Sequence, residues 1–231
     1  MPVQTRLVVE MKETIGKFIK RMRHRCKEST INAESGIILD LAEFLGQPIA
    51  EVRDKVIYCR EFRKSESERT SDGWLYDIAQ FNSYDSYEER LAPLGGLVGR
   101  KLLDYGCGIG TAVLRLSHQN KVVGYDINPK LIEFARYRAI KRGLINATFI
   151  TEEPDLSQFD IITFIDVLEH FEDLHTFMCK FGARLKRGTP IYHYNSFKHR
   201  ILAHYDHSAE WSGILDDAGF IPFNPLWSIK I

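Results

Sequence analysis

The sequence predicts an α/β fold: a mostly parallel sheet flanked by helices, preceded by an all-helical unit. Three observations carry this prediction. Beyond Gly99, short β-branched or apolar runs alternate with amphipathic stretches, the pattern of strands joined by crossover helices. A glycine-rich turn, residues 106–110, joins the first of these runs to the first of these helices. Before residue 64, apolar residues recur at helical spacing from Leu7 to Cys26, and two further helices are expected.

Size and composition bound the rest. A chain of 231 residues accommodates one substantial domain plus a smaller attachment, and its 44% hydrophobic content is that of a folded protein. Lysine plus arginine and aspartate plus glutamate balance at 31 each, so no net field draws the chain to nucleic acid or anionic lipid, and a small uncharged or mixed partner is expected. Cys26, Cys59, Cys107 and Cys179 are scattered without a CxxC pair, which argues against a zinc knuckle or a disulfide scaffold. Reduced thiols in the cytoplasm are the plain reading. The N-terminus breaks its apolar stretch with charge within a few residues, so neither a signal peptide nor a membrane span is expected.

In order along the chain, Leu7, Met11, Ile15, Phe18 or Ile19, Met22 and Cys26 make one apolar helix face. The opposite face is basic, with eight lysines and arginines from Arg6 to Lys27 against Glu10 and Glu13. A solvated face is favoured over an RNA- or membrane-binding one, because the glutamates dilute the charge and no aromatic sits on the basic side. A second helix is expected over residues 32–45, stopped by Gly46, and a third from Pro48. The polar stretch 64–73 closes a helical unit, residues 1–70. An aromatic-rich connection over residues 71–98 contains Trp74, Tyr76, Phe81, Tyr84 and Tyr87 and leads into a sheet domain, residues 99–231. Strands are expected at 101–105, 121–125, 148–150, 161–165 and 190–194, with helices at about 110–118, 129–142, 173–185 and 208–218. The N-terminal helices leave room for a homodimer or larger assembly.

The stretch 102–116, LLDYGCGIGTAVLRL, is a buried strand, a glycine turn and a helix start. Gly106, Gly108 and Gly110 allow positive backbone torsions and a close approach to a ligand. Asp126, 126 − 110 = 16 residues past the last of them, ends the next strand, where a carboxylate accepts from both ribose hydroxyls of an adenine nucleoside. With LLDYGCGIG, VVGYDIN, the FD of QFDIITFIDVLEH and a closing DAGF, the chain resembles the class I S-adenosylmethionine-dependent methyltransferases, specifically the ubiquinone-biosynthesis-like and methyltransferase-domain group, over residues 102–220.

The resemblance implies a Rossmann-like domain that binds S-adenosylmethionine and releases S-adenosylhomocysteine. It implies that Gly106, Cys107, Gly108 and Gly110 line the cofactor, that Asp104 supports the loop near its cationic end, that Asp126 holds the ribose and that Ile127 packs on the adenine. An acid before the glycines would repel a pyrophosphate, which disfavours a nicotinamide enzyme. Where the family commonly has an aspartate for the adenine amino group, this chain has Thr151, Glu152 and Glu153; Glu153 is favoured, with Glu152 close behind. Asp166 and Val167, after the fourth strand, are expected beside the methionine part. An aromatic lid including Tyr84 is expected over the sulfonium, with packing of these aromatics between the units as the equal alternative.

On the acceptor side, His170 is a candidate base for O-methylation, or else a cap of the following helix. His193 is a second candidate, with Asn195 beside it at the end of the fifth strand, and then His204 and His207. Asp166, Glu169 and His170 also have a metal-ligand reading, but an aspartate is short for the first position and no metal is expected. Methyl transfer to an oxygen or nitrogen of a small molecule is thus the leading reading. A nucleic-acid or protein methyltransferase using the basic first helix, and a non-catalytic cofactor-binding partner subunit, are the alternatives. Nucleic acid is the weaker, because no Asn-Pro-Pro-Tyr-type tetrapeptide is present. After DAGF only FIPFNPLWSIKI remains, which suggests either that one of the two closing strands is missing or that the sequence stops inside a longer protein; its two prolines suit a sheet edge.

Overall fold

A computed structural model describes residues 36–57, 73–83, 86–198 and 204–231. The basic helix expected over residues 7–27 and the aromatic Tyr84 lie outside the described residues.

Three helices come first: α1 (Gly36–Leu45), α2 (Ile49–Ile57) and α3 (Gly73–Asn82), with the short α4 (Ser86–Leu91) following. Then strands and helices alternate as β1 (Lys101–Tyr105), α5 (Thr111–Leu116), β2 (Lys121–Tyr125), α6 (Pro129–Lys141), β3 (Ala147–Ile150), β4 (Ile161–Ile165), α7 (Leu174–Gly182), β5 (Pro190–Tyr194), α8 (Trp211–Asp217), β6 (Phe220–Asn224) and β7 (Trp227–Lys230). Local chemistry sets the boundaries. Helix α6 starts where Asn128 Oδ1 accepts from the backbone N–H groups of Lys130 and Leu131, a cap worth about 1 kcal/mol, with Pro129 at a position needing no donor.

The sheet order is β3-β2-β1-β4-β5-β7-β6. Strands β1 to β5 run parallel, and β7 is antiparallel to both β5 and β6. The chain winds outward from β1 to β3, then crosses back to place β4 on the other side of β1. That reversal opens a crevice at the carboxyl ends of β1 and β4, where open parallel sheets bind ligands.

Both faces of the sheet are covered, and alternate residues divide between them. Leu102, Val122, Ile161 and Tyr192 join a core with α5 and α6, while Leu103, Ile162, Phe164 and Ile191 join a core with α7 and α8. A third cluster joins Ile37, Leu41, Val52, Val56, Leu75 and Ala79 of the helical unit to Leu131 and Phe134 of α6 and to Ile109 of the glycine turn. The helical unit therefore shares its core with the back of the sheet domain.

The expectation of a missing closing strand is overturned, because residues 220–230 hold two. Asn224 Oδ1 accepts from Leu226 N at 2.8 Å across a tight reversal, and Trp227 comes to lie opposite Tyr192 of β5. Pro222 sits in β6, the outer strand, beside a register irregularity, where a missing donor is tolerated.

Candidate active site

The turn after β1 is built on three left-handed glycines, Gly106 (φ 75°), Gly108 (φ 52°) and Gly110 (φ 76°). It is pinned to the neighbouring strand, because the N–H groups of Gly106 and Cys107 both donate to Tyr125 O, at 2.7 and 2.9 Å. Asp126 completes the brace: Oδ2 accepts from Gly108 N at 3.0 Å and Oδ1 from Asn128 N at 2.9 Å. A carboxylate offers about four lone-pair sites, so two remain for hydroxyl groups. Beside it Ile127 is 79% exposed, an apolar side chain at the mouth of the crevice.

Across the crevice, Asp166 directly follows β4 with φ 53°, the one positive torsion outside glycine among the described residues. Strain of this kind persists only where the surroundings over-determine it. Here they do: Arg90 Nε donates to Asp166 Oδ2 at 2.7 Å and Ser196 Oγ to Oδ1 at 2.6 Å. The Arg90 guanidinium lies over the rings of Phe81 and Tyr194, at 4.9 and 5.0 Å from their centroids, and Tyr192 Oη donates to its backbone carbonyl. Val167 packs so closely on Gly106 that a β-carbon there would come within 2.6 Å of Val167 Cγ2. The two loops are thus a single wall.

Glu169, fully buried, ties this wall to the loop after β5. Its Oε1 accepts from Ser196 N at 3.0 Å and its backbone carbonyl from Tyr205 N at 2.8 Å. Burial, with the Asp166 charge adding, pushes its carboxyl up to about 7. The His170 ring is exposed and meets His204 edge-to-face at 4.6 Å; burial raises the Asp126 carboxyl above its usual range, with the N–H groups of Asn128 and Gly108, and then the nearby His170, working the other way.

Residues 98–210 match the methyltransferase-domain family. Over these residues the chain is similar to the class I S-adenosylmethionine-dependent methyltransferases. Ubiquinone biosynthesis O-methyltransferases are among its relatives: that of Vibrio vulnificus (strain YJ016) is 30% identical over 108 residues, which is 44% of this chain and 46% of that protein. That of Klebsiella pneumoniae subsp. pneumoniae is 28% identical over 105 residues, 42% and 43% of the two chains. The matches span less than half the length of these relatives. A methyltransferase from Aquifex aeolicus superposes with a TM-score of 0.52 at 19% identity, covering 67% of this chain and 94% of that one. The magnesium protoporphyrin IX methyltransferase of Synechocystis PCC 6803 gives 0.51 at 22% identity, covering 64% and 81%. At these identities the two structures establish the fold.

The crevice brings together Gly106, Gly108, Gly110, Asp126, Ile127, Asp166, Val167 and His170. Others fall elsewhere. Cys107 turns its side chain into the core against Gly124, and burial raises its thiol well above the usual range, so only its backbone belongs to the turn. Glu153 points away from the crevice, with Oε1 accepting from Tyr105 Oη at 2.7 Å and Oε2 from Arg184 Nη1 at 2.5 Å, whereas Glu152 is exposed. His193 is 3% exposed, bonded to Ser228 Oγ and set edge-on to Trp211 of α8; strand alternation gives it the same face as Ile191, and burial lowers its imidazole to about 4. It is a core histidine, not an acceptor-pocket base. Asn195 stands at the strand end, its Oδ1 buried, while His207 is buried and bonded to Phe171 O. Trp74 and Tyr76 pack within the helical cluster and Tyr87 is buried against Phe81, so these three do not form a lid.

Arg90 is the member of the site that sequence reasoning missed. Its distance of 76 residues from Asp166 left no local signal beyond a cation in an aromatic stretch.

Asp104 sits behind the glycines, buried, accepting from Thr163 Oγ1 at 2.7 Å. Burial, with Asp126 adding, pushes its carboxyl to about 7 although the Thr163 hydroxyl works the other way. A raised carboxyl stabilises the fold fully below its unfolded value of 3.8 and loses that contribution as pH climbs through about 7. Asp104→Asn should therefore melt higher than the parent at pH 8, with the gap closing toward pH 4. Thermal melts at both pH values check this, and parallel curves would contradict the buried-acid account.

Proposed function

We propose that this protein transfers the methyl group of S-adenosylmethionine to an oxygen atom of a small-molecule acceptor, in the crevice between the ends of β1, β2 and β4. The observation that carries the reading is the brace from Gly108 N–H to Asp126, which leaves two carboxylate lone-pair sites facing the mouth next to the exposed Ile127. Such a site fits an adenine nucleoside, with Asp126 accepting from both ribose hydroxyls and Ile127 covered by the purine. Of the acids after β3, Glu152 is the one left to meet the adenine amino group, since Glu153 is held by Tyr105 and Arg184.

The methionine part carries an ammonium and a carboxylate, and the Arg90–Asp166 pair offers one partner for each. Gly106, Gly108 and Gly110 bring backbone against the cofactor without a side chain between. When bound, the cofactor supplies an electrophilic methyl group on a cationic sulfur. The protein's share is to align the acceptor in line with that bond and exclude water. His170 takes the proton of the acceptor hydroxyl, its ring oriented by His204. Oxygen is preferred to nitrogen because a neutral hydroxyl needs such a base, and because the relatives are named O-methyltransferases. The unpaired Cys107 and Cys179 support a cytoplasmic setting.

The test is incubation with methyl-labelled cofactor and a panel of phenols, alcohols and amines. Label should pass to hydroxyl compounds, and His170→Gln should lower kcat by about 100-fold while leaving S-adenosylhomocysteine affinity intact. Transfer to amines alone would refute the oxygen reading.

A further inference from the structure

The glycine turn is held from behind by a charge cluster that the proposed chemistry does not use. Asp40, on the inner face of α1, is 2% exposed, and it faces two cations of α6 and Arg142, the residue that caps that helix. Arg138 Nε lies 3.4 Å from Asp40 Oδ2, Arg142 Nη2 donates to the same oxygen at 2.5 Å, and Lys141 Nζ reaches Oδ1 at 3.0 Å. Arg138 is itself 4% exposed, and its far end turns to the cofactor loop: Nη1 donates to Ile109 O at 2.7 Å and to Thr111 Oγ1 at 3.0 Å.

Ile109 is the middle residue of the turn, between the left-handed Gly108 and Gly110. Its side chain is fully buried with Ile37, Leu41 and Leu75 of the helical unit. Both its carbonyl and its side chain are thus gripped from the side opposite the crevice. The Ile109 carbonyl shares its peptide plane with the Gly110 N–H, so holding it fixes the closure of Gly110 N onto Cys107 O, the turn that also carries the Gly108 N–H to Asp126. A buried guanidinium keeps such a posture only while its counter-charge is present. Asp40 is that counter-charge, and it comes from another structural unit, 98 residues away in the chain.

We propose that Asp40 and Arg138 are positioning residues for the cofactor turn, so that docking of helix α1 and occupancy of the cofactor site are thermodynamically coupled. The proposal rests on the reading that this turn binds S-adenosylmethionine. Coupling of this kind is reciprocal: loosening α1 weakens the cofactor, and the cofactor tightens α1.

The experiment uses the full chain with S-adenosylhomocysteine as probe, in two arms. In calorimetry, Asp40→Asn should bind about tenfold more weakly, with kcat at saturating cofactor within about twofold of the parent. Lys141→Gln, which removes only a half-exposed partner of Asp40, should leave the affinity unchanged. In the second arm, hydrogen exchange of the unaltered protein should show the amides of residues 36–45 slowed by the probe, alongside those of residues 106–111. That arm decides the matter if Asp40→Asn does not fold. An Asp40→Asn protein that melts lower yet binds with parental affinity, or protection that stops at residues 106–111, overturns the coupling. Absence of binding to the unaltered protein overturns the cofactor reading itself, a different result.

Discussion

Asp126→Ala is expected to cost the protein about two decades of affinity for S-adenosylhomocysteine. The carboxylate braces the glycine turn through Gly108 N and starts the next loop through Asn128 N, and it is the acceptor proposed for the ribose. Charge-assisted hydrogen bonds contribute about 1.5–3 kcal/mol each, and losing the ribose contacts together with the brace amounts to roughly 3 kcal/mol, or about 100-fold. Asp126→Asn keeps the shape and one acceptor oxygen, so it should fall between the parent and the alanine variant. Titration calorimetry reads all three. An alanine variant with parental affinity would remove the basis for placing the nucleoside at the end of β2.

The second large effect belongs to Gly110→Ala. A β-carbon there would sit 2.5 Å from Phe149 Cε1 and 3.0 Å from Ala135 Cβ, on a backbone with φ +76°. The ring cannot withdraw, because Phe149 is packed in the core between sheet and helices. Left-handed strain of about 1–2 kcal/mol adds to overpacking of about 1–3 kcal/mol. For a chain of this size the sum lowers Tm by roughly 10 °C, and the displaced turn should abolish cofactor binding. Gly143→Ala supplies the control, since its φ of +63° is similar but nothing lies within 4 Å of the added carbon. It should lose only the strain and keep the cofactor. Equal melting of the two variants would show that the contact with Phe149 is not tight.

The contrast between these two glycines marks the limit of what a sequence discloses. GCGIG reads as a turn because the signal is local: three glycines after an apolar strand. Gly143 directly follows the helix expected at about 129–142. That one of them cannot take a methyl group and the other can depends on Phe149, which reaches Gly110 from another strand. The closing strands show a different kind of miss. Asn224 and Pro225 are ordinary turn formers, so the reversal beside them is legible from residue types; the shortness of the stretch after DAGF concealed it.

The sequence by itself determined the order of elements from β1 to α8, the glycine turn with Asp126 behind it, and the resemblance to the methyltransferases, because each is carried by short local motifs. Only the tertiary structure decided which acids and histidines serve the crevice. Glu153 is claimed by Arg184, 31 residues on, and His193 is turned inward by the pleat of β5 and held by Ser228, 35 residues on. Arg90 is drawn to Asp166 and Arg138 to Asp40 across still longer stretches. A charged side chain takes the partner nearest in space, and burial makes that choice costly to undo. Its role was therefore settled by packing, not by the residues on either side of it.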